Sequence, residues 1–288
     1  MAANLPAGVT VFERGWLSSN NILIQGEGGT ALIDSGYCTH VDQTLALVDS
    51  ALQGRPLDLL LNTHLHSDHC GGNAALQARY PALQTHIPPG HADFVRVWDA
   101  HALSYIPTGQ QCPRFHLNAT LQPGTEMLLG DLHWQVHAAP GHDPHSVILF
   151  EPQSRTLVSA DALWEKGFGV VFPELDGDDA FDEVAATLDV IERLNPATVI
   201  PGHGAPFTDA VQAIAYARQR LNGFVQNPAK HLQYAAKVLL KFKLLEARHL
   251  PLPALIAWAR NTSYFNHTFE SHFAGATLEE ATRQLVHD

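Results

Sequence analysis

Basic residues are scarce in this chain: 17 Lys and Arg stand against 29 Asp and Glu, for a formal net charge of −12. Nucleic-acid and anionic-membrane surfaces need clustered Lys and Arg, so the balance argues against both kinds of partner. Long apolar runs are missing too, and none approaches the roughly 18 residues of a membrane span. The opening MAANLPAGVTVFERG has no basic start followed by an apolar core, so no signal peptide is expected. Only three cysteines occur, Cys38, Cys70 and Cys112, an odd number without paired spacing. That does not suit a disulfide framework, and a reducing, cytoplasmic location is the expectation. Apolar residues still make up 45% of the chain, which excludes disorder.

Histidine is the exception to this sparseness, with 18 residues, more than Lys and Arg together. Four potential metal ligands crowd into THLHSDHCGG at 63–72: His64, His66, Asp68 and His69. They follow the almost wholly apolar LDLLLN. A His-rich polar turn accounts for one or two such residues, but poorly for four at this spacing.

The 288 residues are enough for one large or two modest domains. Runs at 9–12, 21–25 and 30–34 read as strands, the last two joined by a hairpin at GEGG. Val41, Leu45, Val48 and Leu52 have helical spacing, closed by Gly54. Residues 57–61 read as a buried strand. Two further hairpins are expected, one turning at Gly130-Asp131 and one at EPQS between 146–150 and 156–160. A helix over 181–194 precedes the strand and loop of TVIPGHG. Beyond residue 208 the pattern is mostly helical, with Pro251 and Pro253 as breakers. The expected division is therefore 1–208, a mixed α/β unit with layered sheets, and 209–288, a helical extension.

Three more candidate ligands share the context of the opening motif. His142 follows HAAPG, Asp161 ends TLVSA, and His203 lies in PGHG. All seven stand in loops just beyond apolar runs, where a layered sheet protein brings side chains from separate strands to one edge. The pattern HxHxDH, then PGH, then an Asp ending a strand, then PGHG resembles the metallo-β-lactamase superfamily, and it covers about residues 5–208.

The resemblance implies a four-layer αββα sandwich (α/β, in the α+β sense) with a C-terminal helical, winged-helix-like extension. It also implies two divalent metal ions: His64, His66 and His142 on the first, Asp68, His69 and His203 on the second, Asp161 bridging both. Imidazole and carboxylate donors suit Zn2+ and admit Fe or Mn. The implied activity is a dinuclear metal-dependent hydrolase in which a metal-bridging hydroxide, oriented by the catalytic Asp68, attacks an ester, thioester or lactone carbonyl. His69 and Asp161 together are similar to the glyoxalase II and lactonase-like branch. Classical β-lactamases of the superfamily carry a cysteine where this chain has Asp161. Cys70 adjoins His69 but matches no ligand position and reads as a small buried thiol.

Around the centre, Tyr105, Trp164 and Phe168 are candidate substrate contacts, Trp164 and Phe168 with Phe172 as an apolar wall. The stretch from Pro89 to Cys112 is either a lid or a surface helix burying Phe94, Val97 and Trp98. His145 is either a support for the ligands or a turn stabiliser. Lys166 is the only Lys or Arg between Arg155 and Arg193, which leaves the basic grip on glutathione of a true glyoxalase II without a match. The expected partner is a small-molecule substrate. The apolar load of the helix at 231–247 is buried on its own sandwich, against the substrate pocket or in a homodimer contact. Two other functions fit the same residues. One is a mononuclear iron enzyme like the persulfide dioxygenases, using His64, His142 and Asp161; the other is a metal-containing, ligand-sensing regulator.

Overall fold

Side chains of a strand point alternately to its two faces, and here both faces of each central strand are apolar. The protein is described by a computed structural model covering residues 4–175, 177–272 and 276–287. One sheet contains, in spatial order, β1 (Val9–Phe12), β2 (Asn21–Gly26), β3 (Gly29–Ile33), β4 (Leu59–Leu61), β5 (Gln84–Ile87) and β6 (Ala119–Thr120). It is antiparallel from β1 to β3 and parallel from β3 to β6. The other sheet lines up β7 (Glu126–Leu129), β8 (Leu132–Ala138), β9 (Val147–Glu151), β10 (Thr156–Ala160) and β11 (Thr198–Pro201). All its pairs are antiparallel except β10 with β11.

The alternation separates three cores. Ile22 and Ile24 of β2, Ile33 of β3, and Val147 and Leu149 of β9 meet between the sheets. The opposite faces bury Leu23, Leu32 and Leu60 under α1 (Val41–Leu52) and α3 (Asn73–Arg79), separated by the short α2 (Ser67–Cys70). On the second sheet, Ile148, Phe150 and Leu157 pack with Val184, Leu188 and Ile191. These last three lie on α7 (Ala180–Leu194), which follows α4 (Ala92–Val97), α5 (Tyr105–Thr108) and α6 (Phe172–Leu175). The result is the four-layer αββα sandwich, helix on sheet on sheet on helix. The hairpins expected at GEGG and at Gly130-Asp131 turn there, and the third joins β9 to β10 through residues 152–155.

Helices α8 (Ala210–Gln226), α9 (Pro228–Ala247), α10 (Leu252–Asn261), α11 (Ser263–His272) and α12 (Leu278–His287) complete the chain. The first of them belongs to the sandwich: Ala213, Ile214, Ala217 and Leu221 share the core of α7. The others bury a smaller cluster of their own around Leu239, Leu240, Leu255 and Phe265. No strand occurs among the described residues of this tail. Pro253, expected as a breaker, instead lies in the first turn of α10, where its missing N–H costs nothing. Among the described residues no helix is long and apolar enough to cross a membrane.

The segment around α4 departs from the expected helix register. Phe94 and Val97 face solvent, at 40% and 72% exposure, while Ala92 and Val95 are buried. The helix is only six residues long and ends at Trp98, whose φ of 62° breaks the pattern before another turn can form.

One tail residue makes stability depend on pH. His231 of α9 is buried between Phe181 and Phe224, each ring 5.0 Å away, and its Nε2 has no partner. Burial, and then the nearby Arg220, lower its pKa to about 4. The folded state thus binds fewer protons than the unfolded one between about pH 4 and 6.5. The stability held by neutral His231 is complete above pH 6.5 and lost as the pH falls through that window. Between pH 6.5 and 4.5 the loss is about 2–3 kcal/mol. Urea unfolding at both pH values is expected to show His231→Phe losing less stability than the unaltered chain by about this amount. Equal losses refute the assignment.

Candidate metal centre

In each sheet the strands that precede the candidate ligands run in one direction. β3 and β4 are parallel in the first sheet; β8, β10 and β11 are parallel to one another in the second. Their carboxyl ends therefore open on a common edge. There the structure gathers the seven residues into two groups, His64, His66 and His142, and Asp68, His69, Asp161 and His203. Within each group one ligand atom per residue lies within 4.8 Å of the others. His142 Nε2 is 2.8 Å from His66 Nδ1, and His203 Nε2 is 3.1 Å from Asp68 Oδ2.

The far nitrogen of most of these rings is held by the scaffold. Thr63 Oγ1 is 3.1 Å from His64 Nδ1, and His142 Nδ1 donates to the Val170 carbonyl at 2.5 Å. His69 Nδ1 donates to Asp34 Oδ2 at 2.8 Å, while the other Asp34 oxygen accepts from the Thr63 amide at 2.9 Å. Asp34 also accepts from Thr63 Oγ1, so one carboxylate at the end of β3 joins β4 to His69. His66 is turned the other way, its Nε2 4.0 Å from Asp143 Oδ2.

Two residues at strand ends hold left-handed backbone, Asp34 at φ 58° and Ala160 at φ 46°. For non-glycine residues this costs on the order of 1 kcal/mol or more each. At Asp34 the cost is offset by three accepted hydrogen bonds. Gly202 allows the closest approach: a Cβ there would lie 2.1 Å from Asp161 Oδ1 and 3.0 Å from His69 Cε1. No other residue fits between those two side chains. Asn20 holds the same loop by donating to the carbonyls of Pro201 and Gly204.

Electrostatically the two groups differ. Burial, then His69 and His66 nearby, holds His64 well below its ordinary pKa. Burial and His142 hold His66 down to about 4. Burial opposes charge on Asp161 too, but His203 and His69 keep its carboxyl well below the usual carboxylate range. Burial likewise disfavours charge on His69, yet Asp161, Asp34 and Asp68 lift its pKa well above normal. His64 and His66 of the first group are thus neutral donors, and the second group is a set of paired opposite charges.

His64 Nε2 and His69 Nε2 are both buried without a hydrogen-bond partner. An orphaned buried nitrogen costs about 1–3 kcal/mol. A cation coordinated by each group would satisfy both, so these residues fit divalent metal ions in donor type and in arrangement.

Not every candidate contact joins them. Trp164 does, donating from Nε1 to Asp161 Oδ1 at 3.0 Å and lining the cavity over the ligands. Tyr105 does not: it is 2% exposed, in a separate core, with its hydroxyl 3.2 Å from Cys70 Sγ. Phe168 faces away as well, into the core against Phe224. Aromatic type alone cannot tell a pocket wall from a core residue, because the same burial drives both. Phe172 lines the cavity in its place. Cys70 is a fully buried thiol. The amide of His145 donates to Asp143 and its ring packs edge-on to His91, in a turn beside the ligands.

The other wall residues include Trp16, which gave no sequence signal, Thr108 and Gln110 from the stretch read as a lid or a surface helix, and Tyr234, Val238 and Phe242 from the helix for which a pocket wall was one of the readings. Asp34 did leave a signal. TALID ends an apolar run in an acid, as TLVSAD does before Asp161.

Comparison with known proteins places these residues in context. The family model of the metallo-beta-lactamase superfamily matches residues 14–203. A hydroxyacylglutathione hydrolase from Anaeromyxobacter dehalogenans is 31% identical over 161 residues, 55% of this chain and 52% of that protein. The chain thus spans about half the length of this relative. A metallo-beta-lactamase family protein from Thermus thermophilus, TTHA1429, superposes with a TM-score of 0.62 at 19% identity. The match covers 93% of this chain and 95% of that one and shows a shared fold. TTHA1623, crystallised in a di-iron-bound form, superposes with a TM-score of 0.58 at 28% identity over 73% of this chain and 98% of its own.

The hydrogen bonds of Asp34 make a testable demand. Asp34→Asn keeps the shape but offers His69 Nδ1 an amide in place of one carboxylate oxygen. Metal affinity, read by competition with a chromogenic chelator, is expected to fall 10–100-fold, with cooperative thermal unfolding retained. Unchanged affinity refutes the orienting role.

Proposed function

The chain belongs to the metallo-β-lactamase superfamily, and from that premise we propose that it is a dinuclear metal-dependent hydrolase of ester, thioester or lactone bonds. One observation carries the reading: two adjoining donor groups, each with an orphaned, buried imidazole nitrogen directed at its neighbours. His64, His66 and His142 would hold one ion and Asp68, His69 and His203 the other, with Asp161 between them, the metal being Zn2+ by donor type. Bound there, such ions supply a water that ionises near neutral pH and polarise a carbonyl oxygen.

The chain's own residues supply the rest. Asp68 lines the cavity and is a carboxylate kept ionised by His69 and His203 against the effect of its burial. It would accept a hydrogen bond from the attacking water and fix its direction. Asp161 is oriented by the Trp164 indole. The aromatic walls displace part of the surrounding water, which strengthens each of these interactions. Relatives named hydroxyacylglutathione hydrolase support a thioester or related acyl bond, and the di-iron form of TTHA1623 supports two ions.

Elemental mass spectrometry on protein purified without added metal is the direct test. About two metal ions per chain are expected, with turnover of an ester, thioester or lactone panel that is abolished by chelation and restored by Zn2+. Asp68→Ala is expected to lower kcat by at least 100-fold, in line with loss of a group acting at the reacting water. One iron per chain with oxygen uptake, or no metal uptake on titration, overturns the proposal.

A further inference from the structure

Two cavities meet at the ligands His66 and His142, and Phe172 borders both. The first encloses about 530 Å³ including its open mouth, the second about 640 Å³. Their linings differ in chemistry. Beyond the ligands, the first is walled mostly by Trp16, Trp164, Val170, Phe172 and the α9 residues Tyr234, Val238 and Phe242. The second presents His91, Ser104, Asp143 and Asp178. Among the described residues no Lys or Arg lines either one.

Tyr234, Val238 and Phe242 are spaced by four, so they form one stripe on α9. The wall is fixed from behind. The Arg220 guanidinium lies 4.3 Å from the Tyr234 ring centroid. Tyr37 packs edge-on to Phe242 at 5.0 Å and donates its hydroxyl to Glu246 at 2.6 Å. Gln111 donates to the same carboxylate at 2.9 Å. Phe172 is stacked on Tyr264 of α11 at 5.4 Å with planes 6° apart. The slot is therefore pre-organised, and a ligand need not order it on binding.

Resting on the hydrolase reading, we propose that this α9 stripe selects an uncharged, apolar acyl arm on the substrate. The leaving oxygen or sulfur gains negative charge as the acyl bond breaks. An apolar wall disfavours that charge, so the leaving group faces away from α9 and the acyl arm faces it. An acyl carboxylate would lie against aromatic and aliphatic side chains without a counter-ion. Lys241 of α9 lies over the Trp16 ring, 3.8 Å from its centroid, and does not line the slot.

The test holds the leaving group constant. Full-length, Zn2+-loaded protein is assayed with acetyl, hexanoyl and 5-carboxypentanoyl thioesters of N-acetylcysteamine. Each methylene buried in the slot strengthens binding by up to about fourfold. Hexanoyl is expected to exceed acetyl in kcat/KM at least tenfold, and to exceed its carboxylated counterpart at least tenfold. Val238→Trp fills the slot and is expected to lower the hexanoyl-to-acetyl ratio at least fivefold; Val238→Ala is expected to raise the ratio for octanoyl over hexanoyl. Ratios do not depend on the fraction of protein that folds. Turnover with no chain-length preference, with preference for the carboxylated arm, or with ratios unmoved by both variants overturns this inference alone. No turnover of any ester, thioester or lactone overturns the hydrolase reading and this inference with it.

Discussion

Three of the candidate histidines give one ring nitrogen to the scaffold so that the other faces the centre, and much of the fold near the sheet edge follows from that constraint. Asp34, Thr63 and the Val170 carbonyl hold His69, His64 and His142 by Nδ1. These partners come from the ends of β3 and β4 and from the loop after β10, so the ligands are only as well placed as the strands are aligned. Asp34 takes the largest share, because a buried carboxylate with three donors is both satisfied and immobile. The left-handed backbone at its position is the local strain through which that carboxylate reaches β4.

The same edge explains why the tail matters to chemistry. A sandwich edge supplies a floor of ligands but little lateral enclosure. Helix α9 supplies a wall, and its attachment through Tyr37, Gln111 and Glu246 ties it to residues next to the ligand loop. Its apolar load divides between the tail's own cluster, where Leu239 and Leu240 lie, and the cavity, which Val238 and Phe242 line. Burial of the first set sets the rotation of the helix, and rotation decides what the second set meets.

Much of the centre was legible without coordinates. Four ligand candidates stand within six residues and the other three in short loops after apolar runs, so their chemistry is local and the spacing reports it. Asp34 has the same signature but does not stand out, because one acid at a strand end is ordinary when its partners are 29 and 35 positions away. Tyr105 and Phe168 stand near the right loops in sequence, but their side chains point into cores. Val238 and Phe242 lie some 170 residues beyond His66 and Asp68, and nothing in a helical apolar pattern says which neighbour covers it.

The order of residues was enough to specify most of the strands, though not β5 or β6, the layered arrangement and the identity of the seven ligand candidates. Those depend on period-two alternation, turn-forming glycines and the donor chemistry of side chains close together in the chain. Packing in three dimensions was needed to make Asp34 the residue that orients His69, to turn Phe172 rather than Phe168 toward the ligands, and to make α9 the wall. Each of these depends on the direction of a side chain relative to an element distant in sequence. Such directions are set by how helices and sheets pack, a property of the whole core that no local pattern contains.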